Sequence, residues 1–236
     1  MMENLILIET STSLCSVALV QDGKVICERI SSEPRAHASL TAVFVSKVLE
    51  ETGLKVSGCS AVVVGKGPGS YTGLRVGVST AKGLCFGAGL PLISVGTLDT
   101  LAWQAIDGGL LPEGCRYIVP MVDARRMEVY TGIFTPEGKQ VSPTEARIVE
   151  EHSFDAQLAE GPVLFIGDGA GKCEDVIKDQ NACFIQCCPK ASSMLHPALE
   201  AFRSGTFEDV AYFEPFYLKE FVATVPRRNL FSALGK

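Results

Sequence analysis

The sequence predicts an α/β protein made of two copies of one fold, each a mixed sheet with helices on its faces. Three observations predict it. The first hundred or so residues read β-β-β-α-β-α-β-α, and the same order restarts at Tyr117 after a loop-like stretch from Asp107 to Gly114. Each half also closes its first strand on an acidic residue, Glu9 and then Asp123. Each half places a Gly-Lys turn after its second strand, Gly23-Lys24 and then Gly138-Lys139, and the two landmarks recur at offsets of 114 and 115 residues. One match arises easily by chance, but two in register point to a duplication. At about 100–200 residues per domain, the chain of 236 residues divides into an N-terminal copy, 1–108, and a C-terminal copy, 109–236.

Taken in order, Leu5-Ile6-Leu7-Ile8 is a buried strand ending at Glu9-Thr10-Ser11, and Ser16 to Val20 is a second. Gln21-Asp22-Gly23-Lys24 is a hairpin turn, because Asp-Gly supplies the positive φ it needs. Val25 to Ile30 returns as a third strand. Ser31 to Pro34 break the pattern, and a helix runs from Arg35 to Thr52, stopped by Gly53. Ala61 to Val64 is a short apolar run of the parallel-sheet kind. It enters the glycine-rich turn Gly65 to Ser70, which opens a second helix, Tyr71 to Phe86. Leu92 to Val95 is a strand, and Thr97 caps a third helix containing Trp103. In the second half, Tyr117 to Val122 and Met127 to Phe134 are strands, with a turn at Pro136 to Lys139. Val163 to Ile166 is a strand entering Gly167-Asp168-Gly169 and a helix. The chain ends in a tail rich in proline and aromatic residues from Tyr212 onward.

Composition excludes several classes. With 47% hydrophobic residues and a formal net charge of −6, the chain has neither the low hydrophobicity nor the high net charge of a disordered one. No global basic field draws it to nucleic acid. The nine cysteines are odd in number, no secretory leader precedes them, and Cys15, Cys27, Cys59 and Cys85 lie in apolar runs. They read as reduced thiols in a cytoplasmic protein. The one cluster, Cys183 with Cys187-Cys188, lacks metal-site spacing. No run approaches the roughly 20 apolar residues of a membrane helix.

The motifs that suggest chemistry mostly fail on spacing. The turn Glu9-Thr10-Ser11-Thr12-Ser13 offers hydroxyls but no glycine to let backbone N–H groups close round a phosphate. Gly65 to Gly73 joins a strand to a helix start. It matches neither the P-loop nor the dinucleotide spacing, and Pro68 removes a donor. Lys172 after Gly171 is followed by Cys173 and fails likewise. His37, His152 and His196 form no helical metal-binding pair, and no nucleophile elbow is present. The charged stretch Asp123-Ala124-Arg125-Arg126-Met127-Glu128-Val129-Tyr130 reads equally as a site or as a salt-bridged turn.

The helices say more. Gly73, Gly77, Ala81 and Cys85 recur every fourth residue, a face of nearly bare backbone. Glycine inside a helix costs about 1 kcal/mol relative to alanine, so this face implies a close approach, read here as that of another helix. In the first helix, Ala38, Leu40, Ala42, Val43, Phe44, Val45, Val48 and Leu49 cover almost the whole circumference. A helix apolar all round is buried on more than one side. One side faces its own sheet; the other implies a protein–protein interface.

These residues resemble the bacterial TsaB (YeaZ) family. The signature is Gly65-Lys66-Gly67-Pro68-Gly69-Ser70-Tyr71-Thr72-Gly73-Leu74-Arg75-Val76-Gly77. Further matches are Glu9-Thr10-Ser11, where the family usually has Asp first, Asp123-Ala124-Arg125-Arg126 with Glu128-Val129-Tyr130, Gly167-Asp168-Gly169-Ala170, Glu214-Pro215 and Tyr217-Leu218. The resemblance implies an actin-like ATPase fold (the ASKHA, RNase H-like class) that has lost catalysis, with Glu9, Thr10 and Ser11 as vestigial phosphate-loop positions and no cofactor or metal of its own. It implies a dimerisation subunit that pairs with the catalytic paralogue TsaD and the ATPase TsaE. Together they make threonylcarbamoyladenosine beside the anticodon of tRNAs that read ANN codons, and the same surface forms a homodimer in isolation. Pairing through the first two helices assigns the interface to His37, Leu40, Thr41, Phe44, Val45 and Val48 on the first helix. On the second it assigns Tyr71, Thr72, Gly73, Leu74, Val76, Gly77, Thr80, Ala81, Leu84 and Cys85. The alternatives are an active ATP-dependent small-molecule kinase of the same superfamily and, from the family's older glycoprotease label, an M22-type metallopeptidase. The tRNA is expected to be held through the complex, with Arg227-Arg228 offering one phosphate contact of the chain's own.

Overall fold

The computed structural model describes residues 3–219, so Arg227 and Arg228 lie outside the described residues. The first half contains β1 (Asn4–Glu9), β2 (Cys15–Gln21), β3 (Lys24–Ser31), α1 (His37–Thr52), β4 (Ala61–Gly67), α2 (Tyr71–Ala88), β5 (Leu92–Gly96) and α3 (Thr97–Asp107). The second contains β6 (Tyr117–Asp123), β7 (Glu128–Thr131), β8 (Glu145–Ile148), α4 (Asp155–Leu158), β9 (Val163–Gly167), α5 (Ala170–Cys173), β10 (Ala182–Gln186) and α6 (Leu195–Ser204). The sheets run β3-β2-β1-β4-β5 and β8-β7-β6-β9-β10. In each, the first three strands are antiparallel and the last two run parallel to the first. Strand order, direction and helix order are the same in both halves: the actin-like, RNase H-like unit occurs twice.

Period-two alternation sorts β1 and its neighbours between two cores. Ile6, Ile8, Val17, Leu19, Val62 and Val64 face α1 and α2. Leu5, Leu7, Ala18, Val20, Val63 and Ile93 face the opposite way, and what covers them comes from the far end of the chain. Ala191, Met194, Ala198 and Leu199, from α6 and the short 3-10 turn before it, close this core. Reciprocally, Leu98, Leu101, Ala102 and Ala105 of α3 pack on Ile118, Val122, Leu164 and Ile166 of the second sheet. Each half thus lends its last helix to the other's sheet. The sequence division at 108/109 falls between the sheets, but residues 191–204, which it gives to the second half, build the first half's core.

Several boundaries differ from expectation for local reasons. α1 starts at His37, because Arg35 has φ +62° and cannot be helical. Thr97 is the first residue of α3 and makes no capping bond; Gly96 holds the cap position. The strand expected to reach Phe134 is continuous only to Thr131, but Phe134 pairs with Ile118 in the register that sets Thr131 opposite Met121, so Gly132 and Ile133 interrupt the ladder rather than end it. The helix after Gly169 is a single turn, while β8, α4, β10 and α6 were not anticipated. Cys27 is half-buried rather than buried, and all nine cysteines are free thiols.

The exchange of helices predicts that a residue of the second half stabilises the first. Met194 is fully buried. Met194→Ala is expected to lower the unfolding free energy by about 2–5 kcal/mol in a denaturant titration. An unchanged midpoint would contradict the packing.

Candidate functional site

The β1–β2 turn is the position that the resemblance marks as a vestigial phosphate loop, and the end of β1 and the N-terminus of α2 lie beside it. Here they meet each other. Ser70 N donates to Ser11 O at 2.6 Å, and Thr10 Oγ1 donates to Gly73 O at 2.8 Å. Ser70 caps α2, its hydroxyl accepting from Gly73 N at 3.3 Å. A Cβ at Gly69 would overlap Ser11 O, one at Gly73 would overlap Thr10 O, and one at Gly77 would overlap Thr10 Oγ1. The bare face of α2 therefore lets the helix settle onto its own β1–β2 turn. The approaching element is this turn, not the helix of another molecule. Two N–H groups at the helix start that could meet an anion are taken by Ser11 O and the Ser70 hydroxyl.

Glu9 lies beneath this contact with no exposed surface. Its Oε1 accepts from Ser11 N at 2.6 Å. Its Oε2 presses on Gly65, where a Cβ could not fit, and has no hydrogen-bond partner among the described residues. Burial pushes the Glu9 carboxyl above the usual carboxylate range, against the opposing effect of the Ser11 and Thr10 hydrogen bonds. Burial likewise raises Asp99, opposed by Lys66, and Asp168, opposed by the Asp123 N–H.

The interface residues expected from the sequence divide sharply. Thr41, Phe44, Val45, Val48, Gly73, Leu74, Gly77, Ala81 and Cys85 are buried inside the chain itself. This corrects their reading as surface, because they are the faces that α1 and α2 turn toward the first sheet and the β1–β2 turn. His37, Leu40, Tyr71, Val76, Thr80 and Leu84 are half-buried, and Thr72 is exposed. The outer faces also present Ala38, Ala42, Val43, Arg75, Ser79 and Phe86, the last 87% exposed. Sequence periodicity could have found these as the complement of the apolar stripe. Ala38, Tyr71, Thr72, Arg75, Val76, Ser79 and Thr80 line a groove of about 580 Å³ between the two helices.

A C-terminal strap borders this surface. Glu208 N donates to Leu92 O at 2.8 Å, and Val210 and Phe213 pack on the α1–α2 core. Lys82 Nζ donates to Ala211 O and Phe213 O at 2.9 and 3.1 Å. Phe216 N donates to Lys66 O at 2.7 Å. The Tyr217 ring sits 4.7 Å from that of Tyr71, and the Arg75 guanidinium lies 4.0 Å from the Tyr71 ring centroid. The strap then crosses to the second half, where Lys219 pairs with Glu128.

The second half's equivalent of the β1–β2 turn is open. Asp123 is exposed, pairs with Lys172 and accepts from Arg125 N at 2.9 Å. Lys172 also donates to Glu128 O at 2.7 Å. The three histidines stand apart: His37 Nε2 meets Thr12 O at 3.0 Å, His152 pairs with Asp155, and His196 pairs with Asp107 and stacks on Trp103.

The fold is shared with known proteins. A family model described as TsaD, tRNA N6-adenosine threonylcarbamoyltransferase, matches residues 24–223. The chain is 33% identical over 224 residues to the tRNA threonylcarbamoyladenosine biosynthesis protein TsaB of Escherichia coli, covering 92% of this chain and 94% of the relative. It is 32% identical over 177 residues to TsaB of Bacillus subtilis, covering 73% and 74%. Among solved structures, YeaZ from Pseudomonas aeruginosa superposes with a TM-score of 0.77 at 28% identity, covering 92% of this chain and all of that one. Another Pseudomonas aeruginosa structure, of a protein described as similar to peptidase YeaZ, gives 0.81 at the same identity and coverage.

Two outcomes test the clasp. Gly77→Ala is expected to destabilise by about 1–3 kcal/mol, as overpacking does. Removing the Thr10 hydroxyl in Thr10→Ala/Gly77→Ala should recover part of that loss, whereas Thr10→Ala should not rescue Gly73→Ala, whose clash is with backbone. Equal behaviour of the two pairs in thermal unfolding would sink the account. Glu9 sets a pH dependence. Its folded pKa is raised, so the folded state holds a proton that the unfolded chain releases near 4.5. Stability from this group therefore falls as pH rises from about 4.5 through the folded value. Glu9→Gln should flatten that decline, leaving the same-sign contributions of Asp99 and Asp168; an unaltered pH profile would place Glu9 elsewhere.

Proposed function

The chain belongs to the TsaB family, and we propose that it serves tRNA threonylcarbamoyladenosine biosynthesis in the cytoplasm as a non-catalytic subunit. On this reading it pairs through the outer faces of α1 and α2 with a TsaD-like catalytic paralogue, and works with a TsaE-like ATPase on tRNAs that read ANN codons. The observation that carries it is the clasp. The turn that the resemblance marks as a vestigial phosphate loop is taken up by contact between Thr10-Ser11 and the glycines of α2, which supports a chain that lends its fold to assembly while the chemistry falls to a partner. The separate placements of the histidines speak against a peptidase metal centre. No described helix is long and apolar enough to cross a membrane.

The pairing surface is read as Ala38, Leu40, Tyr71, Thr72, Val76, Ser79, Thr80 and Leu84 rather than the buried small-residue face. It mixes small, apolar and hydroxyl side chains round a groove, the kind of face two helices close on. Without the partner, the same face would close on a second copy.

Ser79 is exposed and lines the groove. Ser79→Glu is expected to leave the chain's own melting temperature unchanged and to weaken pairing with the TsaD-like subunit about tenfold or more, roughly 1.4 kcal/mol. The readout is calorimetry, with gel filtration showing a shift of the isolated chain toward monomer; undiminished pairing would move the interface off this face. Calorimetry with ATP and Mg²⁺ on the isolated chain should show no binding heat, and stoichiometric binding would favour the kinase reading.

A further inference from the structure

The stretch Asp123 to Tyr130 is a salt-bridged turn, one of the two readings its sequence suggested, and not all of its charges are spent inside the fold. Its acids are neutralised by lysines: Asp123 pairs with Lys172 and Glu128 with Lys219. The turn is closed by Ala124 N donating to Glu128 O at 3.1 Å and Glu128 N to Arg125 O at 3.2 Å. Between these pairs stand Arg125 and Arg126. Both are exposed, and neither guanidinium has a partner among the described residues. Both have left-handed backbone, with φ of 72° and 52°, which sterically disfavours any residue with a Cβ. Glycine would suit either position better. Two adjacent arginines held on a strained, hydrogen-bonded turn, with Asp123 and Glu128 already paired, concentrate positive charge on a chain whose net charge is −6. Strain kept in a rigid turn points to use of the side chains it displays.

We propose that Arg125 and Arg126 form an anchor for the phosphodiester backbone of RNA. Guanidinium forks match phosphate oxygens, and an open turn meets an extended polyanion more readily than an enclosed small anion. Lys172 and Lys219, tied to the flanking acids, hold those acids away from the incoming phosphates. The choice of RNA over another polyanion rests on the proposed role in tRNA modification. The duplication accounts for the location: the second half's phosphate-loop turn stays open and charged where the first half's is buried.

The test is binding of the full chain to a tRNA transcript by fluorescence anisotropy over a series of salt concentrations. Glycine accepts left-handed backbone, so R125G/R126G removes both guanidinia without disturbing the turn, and its melting temperature should equal or exceed that of the unaltered chain. The expected result is several-fold weaker binding, with the slope of log affinity against log salt smaller by about 1.5. R125K/R126K should keep most of the slope. An unchanged affinity and slope in the glycine variant overturns the proposal. So does a lack of measurable binding by the unaltered chain, or tighter capture of polyglutamate than of the transcript by the arginines. Threonylcarbamoylation of the same transcript with partner subunits is read separately. A yield that depends on the chain but not on the arginines leaves the role standing and removes the anchor, whereas a yield that never depends on the chain removes the role.

Discussion

The closest constraint in this fold is the distance between α2 and the β1–β2 turn. A helix carrying side chains at 73 and 77, entered through a residue with a side chain at 69, could not lie where α2 lies, because each Cβ would enter Ser11 or Thr10. Once the helix has settled there, much else follows. Ser70 N and Thr10 Oγ1 find partners in the contact itself. Glu9 is sealed beneath it, one of its oxygens accepting from Ser11 N. The opposite face of α2 is fixed as outer surface, beside α1 and above the groove. The glycines give up helix propensity, about 1 kcal/mol each relative to alanine, and the contact they permit compensates for it.

The same constraint explains what sequence could and could not reveal. The four-residue spacing of Gly73, Gly77, Ala81 and Cys85 shows plainly that something approaches one side of α2. Periodicity, however, identifies a bare face and not its occupant. The occupant lies more than sixty residues upstream in a turn whose own sequence, Thr10-Ser11, carries hydroxyls and nothing that announces a clasp. The strands were easier. β1 and β4 are buried on both faces and so read as unbroken apolar runs, and β6 and β9 behave alike. The Glu145–Ile148 strand has no such run, and the helix at Leu195–Ser204 makes sense only against Leu5, Leu7 and Val63. Its partners are nearly the whole chain away, beyond the reach of any local pattern.

Duplication gave the chain two equivalent turns, and they have been put to opposite uses. The first is buried, uncharged apart from Glu9, and consumed by α2. The second is open, crosslinked by Asp123–Lys172 and Glu128–Lys219, and carries strained arginines. Topology fixed where both turns would be; the residues that followed fixed what each could do. In the first half a glycine-rich helix start follows the turn's partner strand β4. In the second, α5 is one turn long and begins Ala170-Gly171-Lys172, so a lysine reaches back to the acid where the first half has a backbone contact.

A cleft that works by opening and closing needs a hinge with few contacts across it. Here the halves are tied at three separate places. α3 lies on the second sheet and α6 on the first. At their junction Gln104 of α3 donates to Cys188 O at 3.1 Å and accepts from Lys190 N at 3.1 Å. The strap runs from Leu92 past Lys66 and Tyr71 to Glu128. Moving one half against the other would expose fully buried Met194 and Ala198 on one side and Leu101 and Ala105 on the other, at about 25 cal/mol for each Å² of apolar surface uncovered. The contact of α2 with the β1–β2 turn and the tied halves therefore support one conclusion from independent directions. This architecture favours a fixed shape over a working stroke.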